Sequence, residues 1–349
     1  MQVLTVTPGT KDSLELRDFS EPDAAEGSVL VEVMAVGLCA TDREVIAAEF
    51  GTAPEGHKHL VMGHENLGRV LEAPKGSGLA AGDLVVGIVR RPCIENCPAC
   101  AAGEWDMCQT GTYTEHGIEA LDGFARERWR GEPGEMVRLD PALDRVGVLL
   151  EPATILAKAW EQIDRIGSRA FFSPRVVAVT GAGPVGLLAA LAGVQRGLEV
   201  HVFDLEEDGP KAQLVKELGA VFHTDSLAGS GLRPDVIIEC TGVPSVIRGV
   251  LHAGAKNSIT CLTGVSEPGG EETVDLGGLN LGLVMDNRVV FGTVNANRRH
   301  YELAADILAR ADTGWLEKMI SRRVALAEFA DAFEDRPDDI KVVLDLQAD

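Results

Sequence analysis

The chain has 349 residues, 45% of them hydrophobic and 25% charged, which suits two globular domains with substantial cores. Its formal net charge of −22, with no basic stripe, argues against nucleic acid or a membrane surface as partner. No apolar run of about 18 residues predicts a membrane span, and the first residues lack the basic start and apolar stretch of a secretory leader; a cytoplasmic protein is expected.

The first 90 residues read as short strands broken by Pro and Gly, with apolar, partly alternating runs at 28–36, 66–71 and 83–89. Cys39 follows the apolar Gly37-Leu38 and precedes Thr41 and Asp42, and His64-Glu65 follows Gly63. Taken singly, a lone buried Cys is ordinarily a small core residue and Asp42 a helix cap. Together a thiol, an imidazole and a carboxylate are the donor types that zinc takes. Residues 91–131 are rich in Cys, Gly and charge and have no period, so something must pin so long a loop. Cys93, Cys97, Cys100 and Cys108 offer the pin. Four thiolates close around a zinc with no open position, which is a structural site. Cys240 and Cys261 lie in apolar runs and read as core residues.

Ile155, Leu156, Ala159, Ile163 and Ile166 predict a helix over 151–166. Strands are then expected at 175–180, 199–203, 235–240, 258–262 and 289–294, with helices at 184–196 and 211–218, and a last helix at 300–311. Repeated strand–helix units imply a parallel sheet covered on both faces. Gly181-Ala182-Gly183-Pro184-Val185-Gly186 matches G-x-G-x-x-G between a strand and a helix, the context a dinucleotide-binding turn requires. Gly181 permits the tight turn, Gly183 lets the backbone approach a pyrophosphate, and Gly186 allows close helix–strand packing. Asp204 ends the next strand, where a carboxylate accepts the adenosine ribose hydroxyls and repels a 2′-phosphate. Glu206, Glu207 and Asp208 add to that repulsion, so NAD is expected over NADP, with NADP kept as an alternative.

These motifs resemble the zinc-dependent medium-chain dehydrogenase family, and within it the archaeal-type glucose (aldose) 1-dehydrogenases. The narrower resemblance is carried by residues 41–45, 90–92, 112–117, Gly123-Phe124, Glu151-Pro152 and 294–297 before His300-Tyr301. The fold it implies is α/β: a Rossmann doubly wound parallel sheet inserted in a GroES-like β-rich catalytic domain with a structural-zinc lobe. The expected domains are 1–166 (catalytic, lobe at 91–112), 167–297 (dinucleotide-binding) and a return at 298–349. The resemblance implies a catalytic zinc at Cys39, His64, Glu65 and Glu151, with Asp42 bonding the far nitrogen of His64. It assigns Thr41 to a proton relay, and Thr41, Glu115, Glu151 and Asn295 to substrate contacts. Cofactor contacts are Gly181, Gly183, Pro184, Val185, Gly186, Asp204, Thr241 and Asn295. Two zinc ions per chain, a small-molecule sugar substrate, oxidation of its anomeric carbon to a lactone, and a homodimer or homotetramer follow from the same likeness. A zinc polyol, amino-alcohol or simple alcohol dehydrogenase, or a non-catalytic dinucleotide binder, are the alternatives.

Overall fold

The computed structural model describes residues 1–266 and 268–348. The chain divides into two compact units, Pro152–Val294, and Met1–Glu151 with Asn295–Asp349. The boundaries therefore fall at 151/152 and 294/295 rather than at the expected 166/167 and 297/298. The reason lies in the helix Leu150–Gly167. Its Trp160 lies under the Arg196 guanidinium at 4.6 Å, and its Asp164 accepts from Arg196 at 2.9 Å. The helix thus packs with the inserted unit, although its apolar period alone could not say which side it serves.

Among the described residues, the inserted unit is built on six parallel strands: β1 (Val176–Thr180), β2 (Glu199–Phe203), β3 (Val221–His223), β4 (Val236–Glu239), β5 (Ile259–Leu262) and β6 (Val289–Gly292). Their spatial order is β3-β2-β1-β4-β5-β6, the doubly wound order that leaves a crevice at the carboxyl ends where the winding reverses. Val177, Ala178 and Val179 are fully buried, as a parallel strand covered on both faces requires. The helix Pro184–Gln195 buries Gly186 through Gly193 without a polar face, so it belongs to the interior.

The other unit is β-rich. Its spine is the strand Val29–Leu38, whose alternating burial sends Val29, Val31 and Val33 into a core with Trp129, Phe124 and Leu344. That strand pairs antiparallel with Glu65–Glu72 and with Lys341–Asp345, in registers that set Gly37 opposite Glu65 and Leu38 opposite Val342. One end of the spine therefore brings together segments from the start and the close of the sequence. A smaller sheet of Arg90–Arg91, Thr114–His116 and Ala120–Leu121 carries the cysteine-rich lobe.

Candidate functional site

Cys39 leaves the spine strand and stands at the N-terminus of the helix Ala40–Ile46. Its Sγ lies 3.1 Å from His64 Nε2, and a Glu65 carboxylate oxygen completes a group whose ligand atoms lie within 4.8 Å of one another. Gly37 makes room for this: a Cβ there would collide with the Glu65 carboxylate. Asp42 does two things, accepting from the Cys39 N–H at 2.9 Å and facing His64 Nδ1 at 3.4 Å. It thus both caps the helix and holds the imidazole with Nε2 turned toward Cys39. Thr41 is half-buried in the first turn of the same helix.

Lys341, which nothing in the sequence singled out, meets Glu65 in this site. Its Nζ donates to both Glu65 oxygens at 2.6 and 2.7 Å and to the Leu38 carbonyl at 3.0 Å, and both side chains are 2% exposed. Burial opposes its charge, but Glu65 and Cys39 more than compensate and raise its pKa. Burial likewise opposes a proton on His64, yet the charges of Cys39 and Asp42 hold it well above the ordinary imidazole range. A metal held by His64 Nε2 would have to displace that proton. Burial, resisted by His64 and reinforced by Glu65, pushes the Glu151 carboxyl up to about 7. The half-buried Cys39 sulfur with the buried His64 nitrogen and Glu65 carboxylate suits a divalent cation of zinc's preferences, and Glu151 supplies none of the ligand atoms so grouped.

Glu115 and Asn295, expected as sugar contacts, are bonded to each other: Asn295 Nδ2 donates to Glu115 Oε1 at 2.6 Å. Arg90 donates from Nε to the same oxygen at 2.9 Å, and its guanidinium lies 3.7 Å from the Tyr113 ring centroid. Asn295 adopts a left-handed backbone (φ 60°) and accepts from the Ala296 N–H, so much of its amide is spent within the protein. Glu115 Oε1 is doubly engaged, and among the described residues no donor meets Oε2.

Cys93, Cys97, Cys100 and Cys108 converge within the same 4.8 Å limit, and all are reduced. Backbone N–H groups of Cys93, Cys97 and Gln109 point at sulfurs of Cys100, Cys93 and Cys97. A hydrogen bond from Thr110 draws Cys108 down to about 6. Such N–H donors favour thiolates, the form a metal needs. The three-residue gap between Cys93 and Cys97 is accommodated by a turn with Asn96 in the left-handed region (φ 47°).

In the inserted unit, Gly181 has φ 89°, and a Cβ on Gly186 would strike the Gly181 carbonyl oxygen. A Cβ on Gly183 would meet nothing within 4 Å, so the turn is open on that side. Gly183 caps the helix that Pro184 and Val185 begin, leaving its first N–H groups for an anion. Asp204 accepts from Ala182 N and Leu205 N, each at 2.6 Å, and so braces the glycine turn. Asp204, Leu205, Thr180, Gly181, Thr241 and Val243 line a cavity of about 990 Å³, roomy enough for the adenosine half of a dinucleotide.

Sequence reasoning assigned no site role to Lys341, Arg90 or Glu239. The available signal was a charged residue inside an apolar strand run, as in Ile340-Lys341-Val342-Val343 and Val236-Ile237-Ile238-Glu239.

Comparison with known proteins shows the family. The family model for the glucose dehydrogenase C-terminus matches residues 144–346, and that for the alcohol dehydrogenase GroES-like domain matches 25–140. The chain is 37% identical to a glucose 1-dehydrogenase of Methanocella arvoryzae over 100% of both proteins. It is 38% identical to glucose 1-dehydrogenase 2 of Vulcanisaeta moutnovskia over 99% of both. The Haloferax mediterranei glucose dehydrogenase, solved in complex with NADP, Zn and gluconolactone, superposes with a TM-score of 0.91 at 30% identity over the whole of both chains. Fold and site define a zinc-type medium-chain dehydrogenase. Within that class, the chain belongs to the archaeal-type glucose dehydrogenase family.

Proposed function

We propose that the chain is a zinc-dependent, nicotinamide-linked aldose 1-dehydrogenase, with D-glucose its first substrate, forming the aldonolactone. The grouping of Cys39, His64 and Glu65 within 4.8 Å carries the reading, because a mere dinucleotide binder needs no such donor set. The relatives named glucose 1-dehydrogenase, and the one bound to gluconolactone, support the sugar.

Cys39 and His64 are assigned as metal ligands, with Glu151 and Glu65 as the carboxylates that ligate directly or through water. When bound, zinc lowers the pKa of the reacting hydroxyl. Thr41 takes the proton of the anomeric hydroxyl and passes it outward. The anomeric C–H pair leaves as hydride to the nicotinamide ring, and the carbon becomes the lactone carbonyl. Glu115 Oε2 accepts a sugar hydroxyl, while Arg90 and Asn295 hold the carboxylate in place. The four cysteines of the lobe hold a second, structural zinc.

NAD is the preferred cofactor on the charge of Asp204 and of Glu206, Glu207 and Asp208 beyond it, whereas the Haloferax relative carries NADP. We place the protein in the cytoplasm, which keeps seven free thiols reduced. A homo-oligomer is supported by the helix Leu276–Met285, which buries no residue and exposes Leu281 and Val284, near the edge strand β6.

The test is a screen of aldoses, polyols and simple alcohols with NAD and with NADP, read as reduced nicotinamide, on protein with its metal counted. Turnover of aldoses, faster with NAD, and two zincs per chain are expected. Preference for polyols or simple alcohols would replace the substrate; no turnover by the zinc-loaded protein would favour the non-catalytic binder.

A further inference from the structure

We infer that Glu239 is a positioning residue that shapes the cofactor cradle and thereby sets affinity for the dinucleotide. The inference rests on the nicotinamide-linked reading above and adds a residue to it.

Glu239 ends β4 and is 0% exposed, yet among the described residues it pairs with no Lys, Arg or His side chain. Its charge is met by uncharged donors instead. Oε1 accepts from Thr241 N at 2.7 Å, Gly242 N at 3.2 Å, the Thr241 hydroxyl, and the Thr180 hydroxyl at 3.4 Å. Oε2 accepts from Gly242 N at 3.2 Å. Its backbone carbonyl accepts from Thr263 N and Oγ1, each at 2.8 Å, and from Gly264 N at 3.1 Å. One residue therefore ties together the segments that leave β1, β4 and β5, three neighbouring strands at the carboxyl edge of the sheet.

The tied segments form the cradle. Thr180, Gly181, Thr241 and Val243 line the same cavity as Asp204. Gly242 has φ 68°, and a Cβ on Gly264 would run into both Gly242 and the Glu239 carboxylate, so the backbone is fitted around this side chain. Thr241 spends its hydroxyl inside the protein, donating to Glu239 and accepting from Val243 N at 3.0 Å. It has no hydroxyl proton left for a ligand, and Glu239 acts on the cofactor through the shape of the loop. A glutamine of equal size would place an amide N–H against a backbone N–H, and the loop would have to move.

The test is NADH binding to the purified full chain by fluorescence titration, with steady-state kinetics alongside. For Glu239→Gln the NADH Kd should rise roughly tenfold, while sugar KM at saturating cofactor and zinc content stay within about twofold. Thr241→Val, which deletes one donor and keeps the charge, should raise the Kd about threefold and decides the matter if the glutamine variant does not fold. A folded Glu239→Gln protein that melts lower but binds NADH as wild type does would overturn the proposal, leaving Glu239 a purely structural group. If the wild-type chain binds no NADH, the dinucleotide reading itself falls and takes this one with it.

Discussion

Lys341 and Glu65 stand 276 residues apart in sequence and form a two-bond ion pair with both side chains 2% exposed. Two charges so deep in the protein gain little net stability from each other, but removing one strands its partner, at a cost of about 3–5 kcal/mol. Lys341→Met should therefore destabilise the chelator-treated protein by about 3 kcal/mol in denaturant unfolding. With zinc added the loss should shrink, because a Glu65 freed from lysine can turn its charge on the metal. An equal loss with and without zinc would mean that Glu65 never reaches the ion. The pair also explains why sequence reasoning stopped short here. His64-Glu65 was legible because its donors are chemically distinctive, whereas the partner of Glu65 is fixed only by strand register, which no local pattern states.

At the scale of elements, the cysteine lobe is joined to the Asn295 segment by a polar chain, buried at Asn297 and Asp106 and partly exposed at Glu104 and Arg299. Asn297 donates to Glu104 Oε2 at 3.0 Å and to Asp106 Oδ1 at 2.7 Å, and Arg299 bonds Glu104 with two nitrogens. Asn297 in turn caps the helix Arg298–Ala309, two residues beyond Asn295. Cys97→Ser should lower zinc from two ions per chain to one by metal analysis and lower the melting temperature. It should also raise sugar KM while kcat holds within about threefold; unchanged sugar KM would uncouple the lobe from Asn295. The central strands were readable from sequence because buried parallel strands are plain apolar runs: β1, β2, β4 and β5 lie within one residue of their expected spans, and the half-exposed edge strand β6 within two. The edge strand β3 has three residues, too few for a pattern. The helix Leu276–Met285 contains Gly277, Gly278 and Gly282, which hide it from propensity arguments.

For the whole molecule, that glycine-rich helix is an unusual surface in a chain of net charge −22: Leu276, Leu281, Val284 and Met285 are each more than 60% exposed. Self-repulsion between acidic copies works against association, so an apolar patch beside an unpaired edge strand is where a two-fold contact gains most. Leu281→Asp with Val284→Asp should reduce the proposed homo-oligomer to monomer, read by light scattering. An unaltered mass would place the contact elsewhere.

The spine strand and the strand Lys341–Asp345 lie side by side, although 303 residues of chain separate Leu38 from Lys341. A ribosome that has made the zinc-binding cysteine and histidine has still to deliver the lysine that neutralises their neighbour. Until it does, the Glu65 carboxylate has neither its lysine partner nor the strand that covers it. Assembly of the centre around Glu65 thus waits for the strand Lys341–Asp345 to pair with the spine strand.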